Sequence, residues 1–178
     1  METLLMSIQT DITQYVGMMS MIFSADVDVA DQNLIRVAGT GRFARRIGSS
    51  LHSGRVSARV LETGRPIFIK DPEMEPLCQN CLNLSVCKDQ CELRVPIKLD
   101  MEVIGTLGIA SSSPEQYTEI IGRYEQMFVF ANHMASLIAL KAVSYTHLHR
   151  EHPLRAGRRY GGWACLLHPG VCRLLRRP

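Results

Sequence analysis

Four of the chain's six cysteines lie in one short polar segment with the spacing C-x2-C-x5-C-x3-C. They are Cys78, Cys81, Cys87 and Cys91. A two-residue spacer lets the first pair of sulfurs face one metal ion, and the two later thiols can complete a shell of four thiolates. Such a shell suits zinc or an iron–sulfur cluster, but the spacing copies neither paired zinc knuckles nor the ferredoxin patterns. The residues therefore predict a metal site and leave the identity of the metal open.

The composition favours the cytoplasm as the location of this protein. Of the 178 residues, 46% are hydrophobic and 21% are charged, as in soluble globular domains. Glu2 stands where a secretory signal would carry Lys or Arg, and polar residues interrupt every apolar run before it reaches membrane-spanning length. Because cytoplasmic thiols are kept reduced, clustered cysteines there bind metal more often than they form disulfides. No contact with a membrane is expected.

The positive charge of the chain belongs to its last segment. The net charge is +3, but residues 1–142 carry 13 Lys and Arg against 16 Asp and Glu, giving −3, whereas residues 143–178 carry seven Arg against one Glu, giving +6. Helical and strand periodicity also ends near Ala142. We therefore expect residues 1–142 to form one domain that does not bind nucleic acid. The basic tail after it is expected to be either disordered or the product of a chimeric or frameshifted reading.

Two amphipathic helices are predicted at the ends of this domain. Apolar residues recur at steps of three and four over Thr3–Met19, which is typical of a helix with one buried face. The second helix has the clearest start in the chain, with Ser113 as N-cap, Pro114 at the first helical position and Gln116 completing a capping box. Its apolar stripe continues to Ile138 and could pack on a sheet or on a second copy of the chain. A homodimer through the terminal helices is therefore expected.

Short and alternating apolar runs predict strands between these helices, together with a short helix over Val56–Leu61. The segment 72–91, which contains the four cysteines, has no regular pattern, and loops of this length are usually functional. These elements predict an α+β fold. It has a central antiparallel sheet of five to six strands, with both terminal helices on one face and the cysteine-rich loop on the other side. The predicted strands are Phe23–Ala30, Leu34–Ala38, Pro66–Asp71, Leu93–Leu99 and Glu102–Ala110.

Several residues outside the cysteine segment could take part in a site. Gly105 and Gly108 lie inside a predicted strand, where glycine marks a bulge or the close approach of another group, and this suits the wall of a pocket. Arg42, Arg45 and Arg46 could bind an anion, but the solvated face of a short helix explains them better. Whether a small ligand binds the domain stays open.

Several stretches of the chain resemble one family of sensory domains. NLIRVAGTGRF, VLETGRPIFIKDP, PLCQNC and VPIKLDMEVIGTLGIAS are similar to the N-terminal GAF-type domain of bacterial sigma-54-dependent transcriptional regulators, in its cysteine-rich variety. The resemblance covers nearly all of residues 1–142. It departs from the family at Asp100-Met101, where members have Asp-Gly, a pair better suited to a turn with positive φ.

This resemblance implies a signal-sensing input domain rather than an enzyme. It assigns Cys78, Cys81, Cys87 and Cys91 to a redox-sensitive iron–sulfur cluster, with zinc as the alternative metal. It also implies that the full-length regulator contains an ATPase module and a DNA-binding module. This chain has no G-x-x-x-x-G-K-[ST] motif for such an ATPase.

Two other functions stay open. In the first, zinc only staples the loop of a ligand-binding or dimerising GAF module, so that removing the metal unfolds the loop without any response to oxygen. In the second, the domain reduces free methionine sulfoxide, as one GAF-like family does, with Lys88 lowering the pKa of the Cys87 thiol. Four cysteines exceed what a nucleophile and its resolving partner require, and this favours the sensor.

Overall fold

The computed structural model describes residues 3–51, 55–79, 87, 90–151, 163–168 and 171–176, of which 147–151, 163–168 and 171–176 are described by their backbone only. The chain divides into two compact units, Met1–Tyr145 and Thr146–Pro178. In chain order, the helices and strands are α1 (Leu4–Ser7), α2 (Gln9–Phe23), β1 (Asp26–Asp31), β2 (Arg36–Gly39), a 3₁₀ helix (Gly41–Arg46), α3 (Arg55–Thr63), β3 (Ile67–Ile69), α4 (Pro76–Gln79), β4 (Cys91–Leu99), β5 (Glu102–Ser111), α5 (Pro114–Gly122), α6 (Tyr124–Glu151), β6 (Trp163–His168) and β7 (Val171–Arg176).

Five antiparallel strands form the sheet of the first unit, in the order β2-β1-β5-β4-β3. The central strand is β5, the second partner of the tight β4–β5 hairpin. Its Gly108 pairs with Asp28 of β1 on one side and with Arg94 of β4 on the other. The predicted α+β fold with a central antiparallel sheet is confirmed.

One face of the sheet is apolar and is covered by helices from both ends of the chain. Alternate residues of a strand point to the same face, so Leu93, Val95 and Ile97 of β4 all contribute to a single core. Helices α2 and α6 complete this core, with Ile12 and Met127 fully buried. Each such buried side chain contributes about 1.5–3 kcal/mol to stability. The terminal helices therefore share one core, as predicted.

The opposite face of the sheet carries charged residues beneath shorter elements. Because side chains alternate, Asp28 in β1 and Arg94 in β4 lie on the face away from α2 and α6. Helix α3 packs against β4 and β5. Its buried Val56 and Val60 lie outside the core that α2 and α6 form. The sheet thus separates an apolar layer from a polar one.

Both terminal helices are interrupted where the sequence predicts continuous helices. The first has a break at Ile8 between α1 and α2, and it then continues beyond its predicted end to Phe23. The second breaks after Gly122, because glycine is a weak helix former and the following Arg123 has a φ of −121°. The break makes α5 and α6 separate helices, of which α5 buries Ile120.

The start of α5 confirms the predicted cap. Ser113 Oγ accepts a hydrogen bond from the backbone N–H of Gln116 at 3.3 Å, and Pro114 follows the N-cap. The Gln116 side chain accepts a hydrogen bond from the N–H of Ser112 at 2.8 Å, one residue earlier than the N-cap N–H on which a capping box closes. Side chains therefore satisfy two N–H groups at the start of this helix.

The turn between β4 and β5 forms without the Asp-Gly pair of the related family. Asp100 has a φ of +54°, a conformation that aspartate tolerates better than most residues. Met101 follows it and is 97% exposed, so its side chain meets no neighbour that would oppose the turn. The two strands pair as predicted, with a shift of register between Ile97 and Lys98.

Regular structure continues beyond Ala142, where the sequence pattern predicts none. Helix α6 extends to Glu151, and β6 pairs with β7 as an antiparallel hairpin in the second unit. Once a helix is nucleated, each added residue gains a backbone hydrogen bond, so a helix can extend past the last residues that pack. The division into a domain of residues 1–142 and a non-native or disordered tail stays a prediction.

Candidate functional site

The three described cysteines of the predicted metal site differ in their exposure. Cys78 lies in α4, a short helix inside the predicted loop, and is half-buried; Cys87 is exposed, and Cys91 is buried at the start of β4. Cys81 lies outside the described residues. Within the described ranges, no three His, Cys, Asp or Glu side chains are grouped so as to hold a metal ion. The four-cysteine metal site therefore stays a prediction.

Cys91 packs as a core residue. It is fully buried among the apolar side chains beneath the terminal helices. Its sulfur lies 3.2 Å from Ser111 Oγ, and its backbone N–H donates to the same oxygen at 3.0 Å. Burial raises the pKa of the Cys91 thiol, and the hydrogen bonds with Ser111 oppose this shift only in part. Burial therefore favours the neutral thiol form of Cys91.

A cluster of charged side chains on the opposite face of the sheet forms the candidate site. At its centre is Asp28, which is fully buried. Arg36 Nε donates to one carboxylate oxygen of Asp28 and Arg94 Nη2 donates to the other, each at 2.8 Å. One buried carboxylate therefore joins two buried guanidinium groups, from β2 and from β4. Asp28, Arg36 and Arg94 are called the arginine–aspartate cluster below.

Arg94 has further partners besides Asp28. Its Nε donates to Glu92 at 2.6 Å and its Nη1 donates to Thr106 at 3.2 Å. Burial alone would lower the pKa of the Arg94 guanidinium, but Asp28 and Glu92 outweigh burial and raise this pKa above its ordinary value. Arg94 therefore stays charged at any physiological pH and is held in one position by three side chains.

Gly108 allows Arg94 to reach Asp28 across the central strand. A Cβ atom at Gly108 would overlap Arg94 Nη2 and would lie 2.6 Å from Asp28 Oδ1, too close for either group to keep its place. The sequence predicts a close approach at this glycine, and the structure identifies the approaching group as a guanidinium. Glycine is therefore required here for space rather than for backbone conformation.

Arg42, in the 3₁₀ helix, lies beside the arginine–aspartate cluster and is closer to solvent than its arginines are. Its Nε lies 3.4 Å from Asp26 Oδ2. Its guanidinium lies over the Phe43 ring at 4.6 Å from the ring centroid, and that of Arg36 lies over the same ring at 4.7 Å. The Arg42 side chain is 20% exposed, compared with 7% for Arg36 and 3% for Arg94. Of these three arginines, Arg42 is the most accessible to a ligand.

Arg42 also connects the polar face with the cysteine segment. Burial lowers the pKa of the Arg42 guanidinium, and negative charge on Asp26 and on Cys87 opposes this shift. The Cys87 thiol therefore lies within electrostatic range of Arg42.

Asp26 ties the 3₁₀ helix to the start of α5. Its Oδ2 accepts a hydrogen bond from Ser112 Oγ at 3.0 Å, and its Oδ1 accepts one from Gln116 Nε2 at 3.5 Å. A Cβ atom at Gly41 would overlap Asp26 Oδ1, and the φ of +50° at this position also favours glycine. The Asp26 carboxylate thus connects Arg42 with Ser112 and Gln116 at the start of α5.

Sequence reasoning missed most of this site. It omits the arginine–aspartate cluster and assigns Arg42, Arg45 and Arg46 to a solvated surface. The last two are exposed, but Arg42 is half-buried. One signal was present: Asp28 and Arg94 each stand between two apolar residues in strands that are buried on both faces, so each needs a buried partner of opposite charge.

A protein family described as the GAF domain matches residues 1–139 of the chain. The chain belongs to the GAF domain family. It is 26% identical over 141 residues to the "Putative uric acid sigma-54-dependent transcriptional regulator UacR" of Escherichia coli (strain K12), and the match covers 79% of this chain. This GAF chain spans only 24% of the length of that relative.

Solved structures share the fold of this GAF domain at low sequence identity. It superposes on a type II free methionine-R-sulfoxide reductase from Thermoplasma acidophilum with a TM-score of 0.59 and 14% identity, over 78% of this chain and 94% of that chain. It also superposes on the nlh2 GAF domain of A. aeolicus in an inactive state, with a TM-score of 0.50 and 15% identity, over 79% of this chain and 85% of that chain. At these identities the likeness shows the fold alone.

Within the described residues, one helical segment of the GAF chain has the length and composition of a membrane span, namely Tyr124–Thr146 of α6. Core helices of water-soluble proteins have the same properties. This helix packs on the sheet through Met127, Ala131 and Ile138, which belong to the core. Packing therefore accounts for part of its apolar character.

Proposed function

We propose that this GAF domain is the signal-sensing input domain of a sigma-54-dependent transcriptional regulator, and that its signal is a small, planar, anionic molecule. The observation that carries the proposal is the buried charge on the polar face of the sheet. Replacing a buried ion cluster by apolar residues is often neutral or stabilising, so stability alone does not explain why the cluster is present. Buried charged groups with displaced pKa values are common at functional sites.

Arg42 and Phe43 define the chemistry of the proposed ligand. A partly exposed guanidinium donates hydrogen bonds in one plane to a carboxylate or to the anionic edge of a heterocycle, and it also stacks on planar groups. Asp26 and Glu92 lie on the same side of the sheet and can accept hydrogen bonds from N–H groups of a ligand. The site therefore favours a planar molecule with both a negative charge and N–H donors.

The relative from Escherichia coli makes urate the first probe to use. Its name refers to uric acid. Urate is a planar heterocycle that is a monoanion at neutral pH and carries several N–H groups. These are the features that Arg42, Asp26 and Glu92 would recognise.

Isothermal titration calorimetry of the full chain with sodium urate tests this proposal. One urate is expected to bind per chain, and Arg42→Gln should weaken binding roughly tenfold or more, because a charge-assisted hydrogen bond contributes about 1.5–3 kcal/mol. Arg42→Lys keeps the charge but loses the planar fork, so it should weaken binding less. Hypoxanthine, a planar purine that is uncharged at neutral pH, is the control ligand. Absence of urate binding, or equal binding by wild type and Arg42→Gln, would contradict the proposal.

The cysteine segment supports a second candidate, a redox or metal sensor that holds an iron–sulfur cluster, or alternatively zinc. The observation in its favour is the four-thiol spacing of Cys78, Cys81, Cys87 and Cys91. Anaerobic purification followed by metal and sulfide analysis tests it. Iron with sulfide and a visible charge-transfer band is expected for a cluster. Zinc at one per chain excludes the redox version, and a metal-free protein excludes both.

The output side of the proposed regulator lies outside this chain. We expect an ATPase module and a DNA-binding module in the full-length protein, which would receive the signal through α5 and α6. The contacts of Asp26 with Ser112 and Gln116 support this route, because they join the polar face to the start of α5. Sequencing the parent gene across codon 142 tests the expectation, since an open frame that continues into an ATPase module is required.

Reduction of free methionine sulfoxide is a weaker candidate. The fold resemblance to the Thermoplasma acidophilum reductase supports it only at the level of the fold. A catalytic thiol needs a lowered pKa, but burial raises the pKa of the Cys91 thiol. Cys87 is exposed. An assay for turnover of methionine sulfoxide with a thioredoxin system would reveal such an activity.

A further inference from the structure

The positive charge of this GAF domain is concentrated in one stretch of the chain. Residues 32–61 contain six arginines and no Asp, Glu or Lys, which gives this stretch a charge of +6. Because residues 1–142 together carry −3, the other residues of the domain carry −9. The six are Arg36, Arg42, Arg45, Arg46, Arg55 and Arg59. The domain is thus basic in one stretch and acidic over the remainder of its sequence.

The charges of the candidate site itself are balanced. Among the described residues, three guanidinium groups lie with three carboxylates, namely Arg36, Arg42 and Arg94 with Asp26, Asp28 and Glu92. Opposite charges a few Å apart largely cancel each other at longer distances, so this set attracts an anion only at contact. Attraction over a longer distance requires charges outside the set.

Arg45 and Arg46 carry unbalanced charge beside the site. Both are exposed, and within the described ranges neither forms an ion pair. Arg59, by contrast, pairs with Glu62 at 2.8 Å. Arg55 is also exposed, but it lies on α3. The two adjacent arginines at the end of the 3₁₀ helix therefore present a surplus of positive charge to solvent.

The geometry of the 3₁₀ helix places this surplus next to Arg42. Such a helix has three residues per turn, so Arg45 lies on the same side as Arg42, one turn of about 6 Å further on. This distance is shorter than the screening length of about 8 Å at physiological ionic strength. The end of the helix is held in place, since the N–H and the Oγ of Ser49 both donate to the Arg46 carbonyl, at 3.0 and 2.6 Å. The charges of Arg45 and Arg46 therefore act on an anion that approaches Arg42.

We propose that Arg45 and Arg46 steer anionic ligands to Arg42 and so determine the charge of the molecules that reach the site. The two side chains stay in solvent and act on the approach of the ligand, whereas Arg42 contacts the bound ligand. Long-range attraction of this kind raises association rates and weakens as ionic strength rises. A cation of the same shape is repelled, so the ligand class is restricted to anions before any contact forms. This inference rests on the proposed function, because it concerns the same anionic ligand.

Surface plasmon resonance, with the full chain immobilised and sodium urate in solution, tests this role. In Arg45→Gln/Arg46→Gln the association rate constant should fall roughly fivefold at low ionic strength, because each charge about 7 Å away attracts an anion about two- to threefold in water. The dissociation rate constant should stay within about twofold of wild type, since neither side chain contacts the bound ligand. In about 1 M NaCl, where the screening length is about 3 Å, the two chains should associate with urate at the same rate.

The double variant Arg65→Gln/Lys70→Gln is the matched control. It removes the same charge from two exposed residues that flank β3. The 3₁₀ helix contacts β1 and β2, and β2 and β3 are the opposite edge strands of the sheet, about 19 Å apart. The control should associate with urate at nearly the wild-type rate. Equal association rates in the two double variants would overturn the proposal, because the position of the charge would then not matter.

Two nitroxide probes of opposite charge measure the attraction without urate. A nitroxide that carries a carboxylate should broaden the backbone amide signals of residues 44–48 more than one that carries an amine. This preference should disappear in Arg45→Gln/Arg46→Gln. Equal broadening by the two probes in the wild-type chain would overturn the proposal. A preserved preference without any binding of urate would instead contradict the proposed function and support the steering of anions.

Discussion

The same strands form both faces of the central sheet, one with apolar residues and the other with charged residues. On β1, Val27 and Val29 point into the apolar core beneath α2 and α6, while Asp28 between them points into the arginine–aspartate cluster. The apolar face stabilises the fold by removing surface from water, at about 25 cal/mol per Å². The polar face is stable only while each charge keeps its partner. The comparison indicates that burial of apolar surface stabilises one face and that pairing of buried charges stabilises the other.

The largest loss of stability is expected when the shared carboxylate is removed. Asp28→Ala leaves Arg36 and Arg94 buried without their common partner, which should lower the free energy of unfolding by about 3–5 kcal/mol. Urea unfolding measured by circular dichroism gives this value. Glu62→Ala breaks an exposed pair with Arg59 and should change stability by no more than about 0.5 kcal/mol. A small loss for Asp28→Ala would mean that water reaches the cluster.

A somewhat smaller loss is expected on the apolar face. Leu107→Ala removes a fully buried side chain from the core and should cost about 2–4 kcal/mol through lost burial and the cavity left behind. Urea unfolding measured by circular dichroism checks this value, and an unchanged midpoint would contradict the burial of Leu107 in the core.

Gly108 is a position at which the polar face has no room for one added methyl group. Gly108→Ala places a Cβ atom against Arg94 and Asp28, and the resulting shift should cost about 1–3 kcal/mol. The matched control is Gly17→Ala in α2, where no atom lies within 4 Å of the new Cβ. That change should stabilise the chain by about 0.5–1 kcal/mol because alanine favours the helix. Equal effects at the two glycines would contradict the close approach of Arg94.

The buried Cys91 thiol predicts that stability depends on pH. Its raised thiol pKa means that the folded chain holds this proton more tightly than the unfolded chain does. Stability from this group is therefore complete below the ordinary thiol value of 9.0 and is lost as the pH rises above it. Cys91→Ala should flatten the stability profile above this pH. Metal analysis of the same variant tests the predicted metal site, because loss of bound metal would show that Cys91 is a ligand.

The fold was more predictable than the site because the two depend on different properties of the residues. Periodicity and caps report local structure, so the helix start at Ser113 and the β4–β5 hairpin could be predicted. The break after Gly122 could not, because a single glycine inside a helical pattern does not by itself end a helix. Similarly, spacing along the chain predicts a metal site only from residues that are neighbours in sequence, namely Cys78, Cys81, Cys87 and Cys91.

Periodicity and spacing along the chain do not predict the arginine–aspartate cluster. Its members, Asp28, Arg36 and Arg94, come from three strands, and only the order β2-β1-β5-β4-β3 with a glycine in the central strand brings them together. The placement of Arg42 in a half-buried position likewise depends on the contact of its neighbour Phe43 with Arg36. Each charged residue inside a strand buried on both faces needs a partner, but the sequence does not identify that partner.

Arginine side-chain resonances provide the most direct test of the central claim, which is that the polar face of the sheet binds the signal. The Nε–Hε signal of Arg42, assigned through Arg42→Lys, is observed in ¹⁵N–¹H spectra of the full chain during titration with urate. It should move to a saturating position, while the signal of Arg59, which lies on an exposed part of α3, stays in place. An unchanged Arg42 signal, with urate-dependent shifts only in residues 78–91, would contradict the account and place the sensing site on the cysteine segment.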